Sequence, residues 1–505
     1  MFKNHPKGLI LAALSNMGER FGYYIMNAVL LLFLLSKFGL DNTTGTIIYS
    51  CFYAGIYVLG LVGGLIADRT QNYKGTIISG LIVMALGYVV LSIPILSTST
   101  NIYWLLPLTC AALFLIAFGN GLFKGNLQAI VGQMYDDKKY SANRDSGFQI
   151  FYVFINIGAF IAPFVAPLLR GWWLNSHDLT YNSELPALCH QYLNDTANMA
   201  AAQLGNLNEL AVKVSGSLPT DLTAFCSNYL DIFNTGVHFS FIASVVAMLI
   251  SLVIFIASKK IFPNPAKKET KVLVDYTVEE KKAMAVEIKQ RIYALFAVLG
   301  IAVFFWFSFH QNGASLSLFA KDFVITDRVP PEVWQAINPI LVILLTPVIM
   351  FIFSILRRKG KEISTPKKIA IGMGIAGCAF LFMMIISLIK GYPSSSEFLA
   401  NPDRESLKYG AWVLFVLYFF LTVAELFISP LGLSFVSKVA PKHLQGLCQG
   451  LWLAATAVGN GILWVGPWLY SKYDISVCWI VFAAVCAVSM IVMLSMVKWL
   501  ERVTK

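Results

Sequence analysis

Twelve apolar stretches of about 20 or more residues follow one another along almost the whole chain, and no other feature constrains the fold as strongly. A run of that length crosses the hydrocarbon core of a bilayer as a helix. Lipid offers backbone N–H and C=O groups no partners, so each crossing must satisfy its bonds internally. The expected spans are 8–36, 46–68, 75–97, 102–131, 147–169, 236–258, 292–320, 334–356, 367–389, 410–437, 446–470 and 475–498. Only 13% of the 505 residues are charged, about half the roughly 25% of a water-soluble domain. These numbers exclude a soluble enzyme, a coiled coil, a disordered chain and a disulfide scaffold. The first stretch is long and carries Glu19 and Arg20 inside it, so it reads as a span and not as a cleavable signal.

Two segments break the rhythm and set the domain organisation. Spans one to five fill residues 1–169, a polar insertion runs over 170–235, and span six covers 236–258. A charged linker, 259–290, then separates two six-span halves, the second at 291–505. Within the linker, residues 276–291 are expected to form a short amphipathic helix at the membrane surface.

The net charge of +11 invites a nucleic-acid reading, but the basic residues sit in short loops between apolar runs, with neither zinc-spaced Cys/His clusters nor basic–aromatic interleaving. They read as a topology signal. With both termini inside, inner segments hold twenty-seven Lys and Arg, outer loops hold nine, and Arg20 and Lys124 remain within spans. This bias places both termini in the cytosol and the 170–235 insertion outside. The insertion contains Cys189 and Cys226. In an oxidising exterior a Cys189–Cys226 disulfide is plausible and would stabilise the loop by roughly 3 kcal/mol. The other six cysteines lie in spans or at their ends, as packing residues do.

A charged side chain at mid-bilayer costs at least about 3 kcal/mol, so intramembrane ionisable residues are functional candidates. Glu19 and Arg20 lie in span one, Lys124 in span four, His310 in span seven and Glu425 in span ten. Glu19 and Arg20 read equally as a functional pair or as neighbours satisfied on one helix. Lys124 and Glu425 each stand alone on their helix, in opposite halves. Charges in opposite halves facing one cavity are what an alternating-access transporter requires. His310 reads as a functional group or as a polar lining residue.

The run GGLIADRTQNYKG (63–75) joins spans two and three. Its glycines allow close helix approach, and Gly64, Asp68 and Arg69 form a gate motif similar to that of the major facilitator superfamily. Together with ERFGYY (19–24), FGNGLFKGN (118–126), RDSGFQIFYVFINIGAF (144–160), FFWFSFHQNGASL (304–316), NP (338–339), ELFISPLGLS (425–434) and GLWLAATAVGN (450–460), it makes the chain resemble the proton-dependent oligopeptide transporter family over nearly all spans. The resemblance implies an all-α major facilitator fold, twelve helices in two six-helix bundles. It also implies a central peptide site driven by protons, with no cofactor and no metal. Lys124 would face the peptide carboxylate and pair with Glu425 when the site is empty. Glu425, with Asn156 and Asn338, would hold the amino terminus. Tyr23, Tyr24, Tyr57, Trp306 and Trp452 would line side-chain pockets, and Asn27, at the carboxylate end, and His310 would also contribute to substrate binding. Proton coupling would involve Glu19, Arg20, Lys124, His310 and Glu425.

Three positions depart from the family pattern: Asn16 and Asn27 stand where an acid and an arginine are usual, and His310 where an acid is usual. The missing arginine and acid form a cross-half pair in typical members, so neither charge is orphaned here. The linker is too short for the extra helix pair of many bacterial members. The expectation is a di- or tripeptide/proton symporter, monomeric, with no nucleic-acid partner, in the plasma membrane, by resemblance a bacterial inner membrane. Its rivals are an uncoupled facilitator, a symporter of a modified peptide or other anion on the same scaffold, and a peptide-sensing receptor supported only by the insertion.

Overall fold

The computed structural model describes residues 4–40, 42–95, 97, 100–182, 185–195, 199, 201–263, 278–313, 315–325, 337–401, 403–441 and 444–504. The helices of the first half are α1 (Gly8–Phe38), α2 (Asn42–Thr70), α3 (Tyr73–Ser92), α4 (Ile102–Gln133), α5 (Arg144–Asn175), α6 (Leu185–Asp195), α7 (Ala201–Ser215) and α8 (Leu222–Ser258). The second half holds α9 (Val278–Phe309), α10 (Ser315–Phe323), α11 (Ile337–Arg358), α12 (Thr365–Lys390) and the short α13 (Ser395–Ala400) and α14 (Arg404–Leu407). It is completed by α15 (Trp412–Leu426), α16 (Ser429–Val439), α17 (Gln445–Gly461), α18 (Val465–Lys472) and α19 (Ile475–Val503). Among the described residues, eleven segments are long and apolar enough to cross a membrane, and α1, bent by 41° after Asn27, makes a twelfth. The all-helical, twelve-span architecture expected from the sequence is the one observed.

Span boundaries move where polar residues extend a helix beyond the lipid. Helix α8 begins at Leu222, capped by the Asp221 carboxylate, which accepts from the backbone N–H groups of Thr223 and Ala224. The polar residues 222–235 are therefore the outer turns of span six. The linker helix is also different from the expectation. Residues 278–291 run without interruption into span seven as α9, so this part is a vertical extension and not a separate surface helix; residues 264–277 lie outside the described set.

The second half has breaks at three informative places. Span seven changes to a 3₁₀ turn at His310–Gly313. Span ten stops at Leu426 and restarts at Ser429, with Pro430 in the first turn, where a missing N–H costs nothing. Span eleven breaks between Gly461 and Val465. His310 and Glu425 thus sit at helix interruptions, the construction that places polar groups at mid-membrane in transporters.

The insertion packs on the outer turns of the first half. His190 of α6 donates from Nε2 to the Ser36 carbonyl oxygen at 2.5 Å. Gly39 ends α1 in the left-handed region (φ 60°), where a Cβ would stand 2.9 Å from the His190 ring. Cys189 of α6 and Cys226 of α8, both fully buried, meet thiol to thiol as free cysteines.

Candidate functional site

At the end of the molecule that carries both termini, the two halves are pressed together. Gly64 of α2 lies against Gly446 of α17, so closely that a Cβ would fall 2.5 Å from the Gly446 carbonyl oxygen. The Asp68 carboxylate accepts from the Gly446 and Leu447 N–H groups at 3.0 and 2.7 Å. It thereby supplies the partner that the first turn of α17 lacks, and the Tyr73 hydroxyl donates to it as well. Arg69 is exposed at the same end.

A second contact across the halves was not anticipated. Asp145, in the first turn of α5, accepts from Lys438 at 2.7 Å, Ser434 at 2.6 Å, Lys368 at 2.9 Å and Thr365 at 3.0 Å, all from the second half. Its neighbour Arg144 donates to the Ser437 carbonyl oxygen at 3.1 Å, and Arg357 donates to Asn143 at 2.9 Å. Arg144, Arg357, Lys368 and Lys438 read in the sequence as topology signals, and Asp145 only as part of the 144–160 motif. What marks them as a lock is tertiary: three helices bring two lysines to one buried carboxylate.

Beyond this seal lies a cavity of about 710 Å³ between the halves, within the roughly 300–1,000 Å³ range of small-ligand sites. Of the residues singled out from the sequence, Arg20, Tyr24, Tyr57, Lys124, Asn156, Trp306, His310, Asn338, Glu425 and Trp452 line it. Tyr23 and Asn27 do not. Tyr23 is buried beneath the Arg20 guanidinium, 4.6 Å from its ring centroid. Asn27 accepts from the Tyr49 hydroxyl at 3.1 Å, inside the first half.

Glu19 and Arg20 are satisfied on their own helix by a fork of two 2.6 Å bonds, with Asn120 donating to Glu19 at 2.7 Å. Adjacent positions on one helix rarely face each other; here the long side chains fold into the α1–α4 seam. Asn16, one turn earlier, is buried with its Nδ2 unpartnered.

The expected Lys124–Glu425 ion pair is not formed. Among the described residues Lys124 has no carboxylate partner, and its ammonium lies over Tyr57, 5.4 Å from the ring centroid. Glu425 accepts instead from the Tyr152 hydroxyl and from Asn338 Nδ2 at 2.7 Å. The cavity therefore separates the two charges, each at a wall of its own half. His310 stacks on Trp306 at 4.8 Å and bonds through Nδ1 to Asn460 Oδ1 at 2.5 Å. An amide oxygen can only accept, so Nδ1 is the donor in this bond.

Sequence reasoning missed Tyr53, Tyr152 and Gln128 among the lining residues. Helical spacing would have found them: each lies four residues before or after Tyr57, Asn156 or Lys124, hence on the same face. Among the described residues, no group of three or more His, Cys, Asp or Glu is placed to hold a metal.

The sequence profile of the POT family matches residues 74–278 and 266–485. The chain belongs to the POT family. It is similar to the peptide transporter YePEPT of Yersinia enterocolitica, 29% identical over 481 residues covering 91% of this chain and 87% of that one. It is also similar to dipeptide and tripeptide permease B of Shigella dysenteriae, 28% identical over 456 residues covering 88% and 83%. The crystal structure of a POT family transporter in complex with a thioalcohol-conjugated peptide superposes with a TM-score of 0.61 at 21% identity, covering all of this chain and 98% of that one. The match shows that this POT family chain shares the fold of that transporter.

Proposed function

We propose that this POT family protein imports di- and tripeptides through the plasma membrane by alternating access, and that the structure is its outward-facing state. The charge bias puts the sealed, terminus-bearing end in the cytosol, so the cavity belongs to the outer side. One observation carries the reading: an ammonium that has no carboxylate partner among the described residues and a hydrogen-bonded carboxylate face one cavity from opposite halves. A peptide is a zwitterion. Its carboxylate would take Lys124, and its amino terminus would take Glu425 with Asn338 and Asn156. Tyr24, Tyr57, Trp306 and Trp452 would supply aromatic walls that accept varied side chains.

Binding a zwitterion across the midline joins the halves and favours closure over the substrate, which is differential affinity between the two states. For proton symport the acceptor must be reachable from the cavity. Glu19, bonded to Arg20 and Asn120, is not among the cavity-lining residues, whereas Glu425 and His310 line it. The departures at Asn16, Asn27 and His310 support a second reading, an uncoupled facilitator. Asn27 is tied to Tyr49 and His310 to Asn460, each within its own half, where the usual cross-half charge pair would stand. The protein is proposed to work as a monomer within the lipid bilayer.

Purified protein in liposomes holding a pH dye, challenged with mixed di- and tripeptides, tests both. Peptide-dependent acidification that disappears in Glu425→Gln supports symport. Peptide uptake without acidification supports the facilitator. A Lys124→Ala variant that takes up peptides and their C-terminal amides equally well, where the parent prefers the free acids, would support the carboxylate assignment. No peptide movement in the parent would overturn the transport reading.

A further inference from the structure

Between the cavity and the cytosolic end lie two buried glutamines with amide atoms that have no hydrogen-bond partner among the described residues. Gln149 of α5 is 1% exposed with both Oε1 and Nε2 unpartnered, and Gln128 of α4 is 3% exposed with Oε1 unpartnered. A buried amide without partners is unfavourable, and these two are not scattered. On α5, Asp145, Gln149, Tyr152 and Asn156 follow at spacings of four, three and four, one helical face. That face runs from the cross-half lock at Asp145, through Gln149, to Tyr152 and Asn156 in the cavity wall. On α4, Lys124, Gln128 and Gly132 follow at intervals of four. Lys124 and Gln128 line the cavity, and Gly132 abuts Ser437 of α16, whose hydroxyl would lie 2.2 Å from an added Cβ. Both helices thus place a glutamine between the site that holds the cargo and the contact that closes the door.

Leucine at these positions would make a drier and more stable seal, since similar apolar volumes pack without an unmet polar atom. The amides are explained by the other state. If Asp145 released Lys438 and Lys368, the α4 and α5 faces would part from α16, and Gln128 and Gln149 would border the opening path. A glutamine offers N–H donors to a carboxylate and an oxygen to a peptide N–H. We propose that Gln128 and Gln149 form a release station on the cytosolic side, taking the peptide's carboxylate from Lys124 and its backbone from the cavity as the substrate leaves. This deepens the transport reading and rests on it.

Cysteine accessibility in oriented membrane vesicles tests the proposal, with a membrane-impermeant maleimide and dialanine as probes. The Gln149→Cys protein is compared with the parent and its eight native cysteines, and Gln128→Cys serves as the second position should the first not fold. The expected result is labelling above the parent from the cytosolic face only, slowed at least threefold by saturating dialanine. In Gln149→Leu, dialanine counterflow should fall about tenfold while equilibrium dialanine affinity from the outer side changes less than twofold. No labelling from either face would overturn the proposal, because the position never opens. Labelling that dialanine does not slow, in vesicles whose parent exchanges dialanine, would overturn it while leaving transport intact. A parent that exchanges no dialanine would remove the transport reading and this inference together.

Discussion

Replacing Asp145 by Asn should swing the conformational equilibrium while leaving the fold intact. The carboxylate holds two lysines and two hydroxyls of the second half, with Lys368 and Asp145 side chains only 5% and 11% exposed. Hydrogen bonds to charged groups contribute roughly 1.5–3 kcal/mol each, and breaking a buried pair by removing one partner costs about 3–5 kcal/mol. Lys438 is a quarter exposed, and asparagine can still bond Ser434 or Thr365, so we take about 3 kcal/mol as the loss. These contacts span the halves, and the proposed alternating-access cycle breaks them when the cytosolic end opens. The loss therefore falls on the ratio of outward- to inward-facing molecules, shifting it by about 150-fold. Spin labels at positions 70 and 361, both exposed, report the opening by electron–electron double resonance, with the exposed Cys51 and Cys378 replaced by Ser. The parent should give a short distance and Asp145→Asn a longer one, with a thermal midpoint close to the parent's. A distance distribution unchanged by the substitution would refute the lock, because the remaining contacts would then be enough to hold the seal.

Gly64→Leu should wedge the same end open, since even a Cβ would fall 2.5 Å from the Gly446 carbonyl oxygen; the same label pair should report the longer distance without any change at Asp145. Cys189 and Cys226 should form a disulfide in oxidising conditions, closing the insertion onto α8 and raising its stability by roughly 3 kcal/mol; peptide mapping without reductant should recover the cross-linked pair, and two free thiols would refute it. Burial lowers the His190 pKa below its ordinary 6.5 despite the Ser36 carbonyl bond. The folded insertion therefore binds fewer protons than the unfolded one, and docking that is complete above about pH 6.5 weakens as pH falls below it. Hydrogen exchange in 201–215 should accelerate at pH 5 relative to pH 7.5 in the parent and not in His190→Asn.

The twelve spans, the division into halves and the isolation of Lys124, His310 and Glu425 were legible without a structure. The reason is the solvent: lipid forces each crossing to close its own backbone bonds and makes every intramembrane charge conspicuous. Periodicity could also have added Tyr53, Tyr152 and Gln128, which share helix faces with residues already marked. What a pattern along one chain cannot contain is which distant faces meet, and in which of two states. Lys124 and Glu425 look like partners because their charges are opposite, yet in the structure Tyr152 and Asn338 occupy the carboxylate, and Tyr57 lies under the ammonium. Asn27 looks like a cavity residue until the bend of α1 and the register of α2 give it to Tyr49. In the sequence Lys368 and Lys438 read as inner-side topology charges and Asp145 only as part of the 144–160 motif. Only the packing of α5 against α12 and α16 turns them into a lock, because an ion pair between halves is set by their relative position, and that position is the quantity the protein varies.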